Sequence, residues 1–95
     1  MKKEKNIEKK RDNEWYYRLT SFQLANFLFA KGEQIAGVNH TETPRMKEFC
    51  FVRTLRLEEL VELYKFGDRN DPDLLVPVHK YEQARRELLD RLNDS

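Results

Sequence analysis

Apolar and polar positions recur along this chain with two different periods, and the switches between them mark its elements. From Glu14 to Leu19 the period is two. Trp15, Tyr17 and Leu19 then fall on one face of a strand, and Tyr16 and Arg18 on the other. The most apolar stretch follows, Leu19–Gly32, and here the period becomes helical. Phe27, Leu24, Leu28, Ala25, Phe29 and Phe22 cover an arc of about 220° on a helical wheel, wider than one core-facing stripe needs. Gln23, Asn26 and Ala30 share the remaining, polar face. The ends of this helix are also written in the sequence. Thr20 reads as its N-cap, with Gln23 three residues on completing a capping box. Gly32 stands where a left-handed residue closes a helix, and Lys31 suits the negative end of the dipole. So broad an apolar arc predicts cover on two sides, from a sheet and from another helix or a partner chain.

The period then returns to two. Glu33–His40 reads as a second strand, which Gly37 weakens or bulges. Thr41–Arg45 is turn-like, and Pro44 ends any ladder. Met46–Arg53 reads as a third strand with Phe49 and Phe51 on one face and Cys50 and Val52 on the other. The short link makes strands two and three an antiparallel hairpin. Thr54 caps a second helix, Leu55–Phe66, whose buried stripe is Leu57, Leu60, Val61 and Tyr64. Glu58, Glu59 and Glu62 face water, Lys65 lies at the end, and Gly67 closes it. Asp68–Asp73 is a polar turn. Leu74–Pro77 is a short apolar run, a candidate edge strand, and Pro77 suits the first position of a last helix over Val78–Asn93. Its stripe is Tyr81, Ala84, Leu88 and Leu92, with Glu82–Arg86 and Glu87–Arg91 as i,i+4 pairs. The predicted order is β-α-β-β-α-(β)-α. That is an α+β fold, a small, mostly antiparallel three-stranded sheet packed with three helices in two layers.

Composition adds an uneven distribution of charge. The 95 residues are enough for one small domain, and the formal net charge is only +1. Residues 1–13, however, hold six basic groups (Lys2, Lys3, Lys5, Lys9, Lys10, Arg11) against three acidic ones (Glu4, Glu8, Asp12), net +3. The other 12 basic and 14 acidic groups leave the remainder at −2. The chain therefore divides into a charged arm, 1–13, expected to be disordered or a frayed helix, and a single domain over 14–95. Cys50 is the only cysteine, so no internal disulfide forms, as suits a reducing compartment. The charged start lacks the apolar core of a secretory signal, and no apolar run nears the ~20 residues of a membrane span. The expected setting is cytoplasmic.

One resemblance rests on the order of these segments. Tyr17-Arg-Leu-Thr-Ser21, Leu24-Ala-Asn-Phe-Leu28, Ala30-Lys-Gly32, Glu48-Phe-Cys-Phe-Val52, the Tyr64-Lys-Phe-Gly67 helix end and Tyr81–Leu89 together resemble a domain-of-unknown-function family of small bacterial, archaeal and phage proteins. The similarity runs from about Tyr16 to Leu92. It implies an accessory protein of a phage or mobile element and supplies no catalytic residue.

Candidate chemistry is sparse. Trp15, Tyr17, Phe49 and Phe51 could stack unpaired bases, but a small domain needs such rings for its core. Tyr16, Arg18, Phe22 and Phe29 are instead the candidate partner interface. The arm cations Lys2, Lys3, Lys5, Lys9, Lys10 and Arg11, with Arg85 and Arg86 on the last helix, are candidate nucleic-acid contacts, against the plainer reading of a solvated tail and an ion-paired helix face. His40, His79 and Cys50 lack metal-ligand spacing, and Asp68–Asp73 lacks the central Gly and closing Glu of a calcium loop. Ser21 and Cys50 have no base at informative spacing, and the three glycines form no phosphate loop. No catalytic residue, metal or cofactor is therefore assigned. The expected function is a non-enzymatic interaction module acting through an unknown protein partner or as a homodimer, with nucleic-acid binding as the alternative. No membrane association and no small-molecule substrate are indicated.

Overall fold

The computed structural model describes residues 15–43 and 45–94. The candidate contacts Lys2, Lys3, Lys5, Lys9, Lys10 and Arg11 lie outside them. Among the described residues the elements are β1 (Tyr16–Leu19), α1 (Phe22–Ala30), β2 (Ile35–His40), β3 (Lys47–Val52), α2 (Leu55–Phe66), a 3₁₀ turn (Pro72–Leu74) and α3 (Val78–Asp94). The three strands form one antiparallel sheet in the order β1-β3-β2. The fold is α+β, as the alternation of periods predicts.

Register decides which side chains meet the helices. Tyr17 pairs with Phe51 and Leu19 with Phe49 across β1 and β3, while Ile35 and Val38 flank the same two phenylalanines from β2. These residues make the inner face, and Phe49 and Phe51 are fully buried in a core with Leu24, Ala25, Phe27 and Leu28 of α1. On the outer face Arg18 and Gly37 flank Cys50, and Tyr16 pairs with Val52. Gly37 does mark a bulge: Ile35 and Gly37 oppose the adjacent residues Phe51 and Cys50, leaving Ala36 as the extra residue. Trp15 does not join the inner face; it lies ahead of β1 and is 68% exposed.

The ends of α1 correct one expectation and bear out another. Ser21, not Thr20, is the N-cap, its Oγ accepting from the Leu24 N–H at 3.2 Å. At the other end Gly32 has φ +97°. Its N–H donates to the Phe29 carbonyl and the Glu33 N–H to the Leu28 carbonyl, the paired bonds of a Schellman closure. Thr54 caps α2 as expected, accepting from Leu57 N. Gly67 ends α2 in an extended conformation (φ −78°) rather than a left-handed one. Glycine is required there for space, because an added Cβ would lie 2.6 Å from the Leu63 carbonyl oxygen.

Two further expectations fail. Asn26 is not on a polar face but is 0% exposed in the core, because α3 packs over that side of α1. The predicted strand over Leu74–Pro77 is absent among the described residues. Asp71 caps the 3₁₀ turn by accepting from Asp73 N, Leu75 follows in an extended conformation, and residues 75–77 do not join the sheet. Lys31 Nζ donates to the Leu75 carbonyl at 3.1 Å, which ties this segment to the end of α1. Leu88 and Ala84 of α3 and Leu57, Leu60 and Val61 of α2 complete the core, so the broad apolar arc of α1 is covered from both sides.

Candidate functional site

The four residues proposed as one interface occupy different surfaces. Tyr16 and Arg18 are exposed on the outer face of the sheet. Phe22 and Phe29 lie on α1 and are half-buried. The Phe22 ring meets the Phe49 ring edge-on at 6.1 Å, and the Arg91 guanidinium stands 5.9 Å over the Phe29 ring. The covered arc thus leaves neither phenylalanine bare. Arg85 and Arg86 are exposed on α3 and form no ion pair among the described residues. The Glu82–Arg86 pair anticipated from spacing is accordingly open.

Four grooves stand out on the surface of the described residues. The largest of them, about 470 Å³, lies where α1, the C-terminal half of α2, the segment after the 3₁₀ turn and the start of α3 converge. Phe27, Tyr64 and Tyr81 supply three aromatic rings to its wall, and Leu74, Val76 and Val78 supply aliphatic surface. Its polar lining is Gln23 and Glu82. Phe27 and Tyr64 pack ring to ring at 5.2 Å with 41° between their planes. The aliphatic wall is held by the Lys31–Leu75 hydrogen bond. Val78 and Leu75 are 77% and 69% exposed at this end of the molecule, unusual in a chain where 37% of residues are charged.

A second groove, about 300 Å³, lies beside the hairpin end and is lined by Thr20, Phe22, Thr43, Arg45, Met46, Lys47, Phe49 and Leu92. A third, about 250 Å³, runs between α1 and α3 past Phe29, Lys80 and Glu87. The fourth, about 300 Å³, lies between Lys31, Arg56, Glu59, Leu63 and Asp73. Next to it sits a buried carboxylate that joins two helices. Glu33 is buried, and its carboxylate accepts from the Thr54 hydroxyl at 2.8 Å and from the Arg56 guanidinium at 2.9 Å. Arg56 also donates to the Lys31 carbonyl. This network joins the end of α1 to the start of α2.

Other candidates have structural roles. Cys50 is a buried free thiol in the central strand. Asp68 and Asp71 use their carboxylates to accept from Asn70 N and Asp73 N in consecutive turns. Among the described residues no group of three or more His, Cys, Asp or Glu side chains is placed to hold a metal ion. No helix of the described residues is long and apolar enough to cross a membrane.

Sequence reasoning missed the Phe27–Tyr81 groove because it reads Leu74–Pro77 as a candidate edge strand. The available signal was Pro72 and Pro77 bracketing that run, since neither can donate to a ladder. No protein-family model matches the chain, and neither a curated protein nor a solved structure proves similar to it.

Proposed function

We propose that this domain is a non-enzymatic interaction module that binds an apolar segment of a protein partner, or of a second copy, in the groove walled by Phe27, Tyr64 and Tyr81. The observation that carries the reading is the exposed, mostly apolar lining of that groove, with Val78 and Leu75 beside it. Burying such surface yields about 25 cal/mol per Å², and aromatic anchors in a preformed concavity are the usual centres of protein contact. Glu82 is the only carboxylate in the described lining, so the groove offers area and ring faces rather than an acid–base pair.

The test compares the wild-type chain with Val78→Asp, a change at a position exposed enough to leave the fold intact. Sedimentation velocity over a wide concentration range and affinity capture from the native host are run on both. Loss of self-association or of captured partners in Val78→Asp supports the groove. The reading fails when the variant keeps the same oligomeric state and the same partners as the wild type.

Nucleic-acid binding is the second reading. Arg85 and Arg86, exposed and free of ion pairs among the described residues, favour it. Phosphate contact would give an affinity that falls steeply with salt. A low-salt gel shift in which Arg85→Gln/Arg86→Gln and removal of residues 1–13 both leave binding unchanged argues against it. The family resemblance adds that the module serves a phage or mobile element, which the neighbouring genes would bear out or refute.

A further inference from the structure

The groove beside the hairpin differs from the other three in the sign of its charge. Each of those includes at least one carboxylate in its lining: Glu82, Glu87, or Glu59 with Asp73. Here the ionisable described lining is Arg45 and Lys47 alone, in a chain whose formal net charge is only +1. Neither cation forms a salt bridge among the described residues. The floor beneath them is apolar, made by Phe22, Met46, Phe49 and Leu92.

The cationic rim is also held in place. Lys47 Nζ donates to His40 Nδ1 at 2.9 Å across the hairpin, which steers the ammonium and leaves it two further donors. The turn that carries Arg45 is stapled by Thr41. Its hydroxyl lies 2.8 Å from the Met46 carbonyl and accepts from Thr43 N at 3.2 Å, while Met46 N donates to the Thr43 carbonyl. Apolar floor and cationic rim together match one chemistry, an anionic head on an apolar body. A volume of about 300 Å³ corresponds to roughly ten water-sized atoms, the size of a small organic acid and near the lower limit for ligand sites.

We propose that this groove binds small amphipathic organic acids, the carboxylate facing Arg45 and Lys47 and the hydrocarbon lying between Phe22, Met46, Phe49 and Leu92. The surface is distinct from the partner groove on the helical layer, so either reading stands or falls without the other.

The experiment is a ¹H–¹⁵N titration of the full chain with octanoate, octanamide and octylammonium, all below their aggregation concentrations. Octanoate is expected to shift the amides of Phe22, Met46, Lys47 and Phe49 with a Kd of order 1 mM, the affinity that about ten atoms of ordinary efficiency supply. Octanamide should bind at least about fivefold more weakly and octylammonium more weakly still. Arg45→Gln and Lys47→Gln should each weaken octanoate severalfold while leaving octanamide unchanged, with unaltered signals from the core confirming the fold. Equal binding of octanoate and octanamide overturns the proposal. So do octanoate shifts that centre on the Tyr64–Tyr81 groove, and so does the absence of shifts at tens of millimolar.

Discussion

Removing Arg56 should destabilise this domain at least as much as removing Glu33, although Glu33 is the buried partner. The two side chains are 57% and 7% exposed, respectively, and joined at 2.9 Å. In Arg56→Ala the carboxylate keeps its buried position with only the Thr54 hydroxyl as donor. An uncompensated buried charge costs about 3–5 kcal/mol. Water entering the space vacated by the half-exposed guanidinium lowers that to about 2–3 kcal/mol. In Glu33→Ala the buried charge itself is gone, and both former donors, Thr54 and Arg56, are exposed enough to turn to water. Two charge-assisted hydrogen bonds are lost, but the desolvation cost of the carboxylate is recovered, so the net loss is about 1–2 kcal/mol. The double variant should then be about as stable as Glu33→Ala alone, a coupling equal to the whole Arg56→Ala loss, roughly 2–3 kcal/mol. Urea denaturation followed by far-UV circular dichroism measures this; Trp15, 68% exposed, would be a poor fluorescent reporter. In a domain of this size each kcal/mol shifts Tm by about 4–8 °C, so Arg56→Ala should melt some 10–20 °C lower. Additive losses within about 0.3–0.5 kcal/mol, or a Glu33→Ala loss well above that of Arg56→Ala, would refute the argument.

Asn26→Ala should stabilise the domain by about 1 kcal/mol, because the buried Oδ1 has no hydrogen-bond partner and Nδ2 reaches the Tyr81 carbonyl only at 3.5 Å; a loss above 1 kcal/mol in urea denaturation would show that the amide is better satisfied than its geometry implies. The two helix-closing glycines should respond differently. Gly32→Ala, where φ is +97° and nothing lies within 4 Å of an added Cβ, should cost about 1–2 kcal/mol of backbone strain. Gly67→Ala drives its Cβ against the Leu63 carbonyl and side chain, so it should cost more and shift the end of α2, seen as amide shifts around Leu63; equal losses and an unmoved Leu63 would contradict the distinction.

The candidate sites were less legible than the fold. The helical wheel makes Phe22 a residue in need of a partner, and the hairpin supplies one in Phe49. Arg45 and Met46 had no pattern to single them out, since a turn residue gains meaning only when the turn folds over something. By spacing Tyr64 belongs to the buried stripe of α2 and Leu74–Pro77 is a candidate edge strand; Tyr64, Leu74 and Val76 instead wall the largest of the four grooves. That wall depends on a 3₁₀ turn and on a bond from Lys31 to a residue 44 positions away, a separation no local pattern encodes.

What the sequence by itself determined is most of what short-range periodicity and caps govern. The three sheet strands, the three helices, the Thr54 cap, the left-handed Gly32 and the facing of Phe49 and Phe51 follow from which residues repeat every two or every 3.6 positions. What only the tertiary structure decided is which faces end up sharing a boundary. Asn26 is buried because α3 crosses that side of α1; Glu33 is charged and buried because α2 begins beside the end of α1. Burial is a property of the neighbours a residue acquires, and neighbours distant in sequence are chosen by the packing of whole elements.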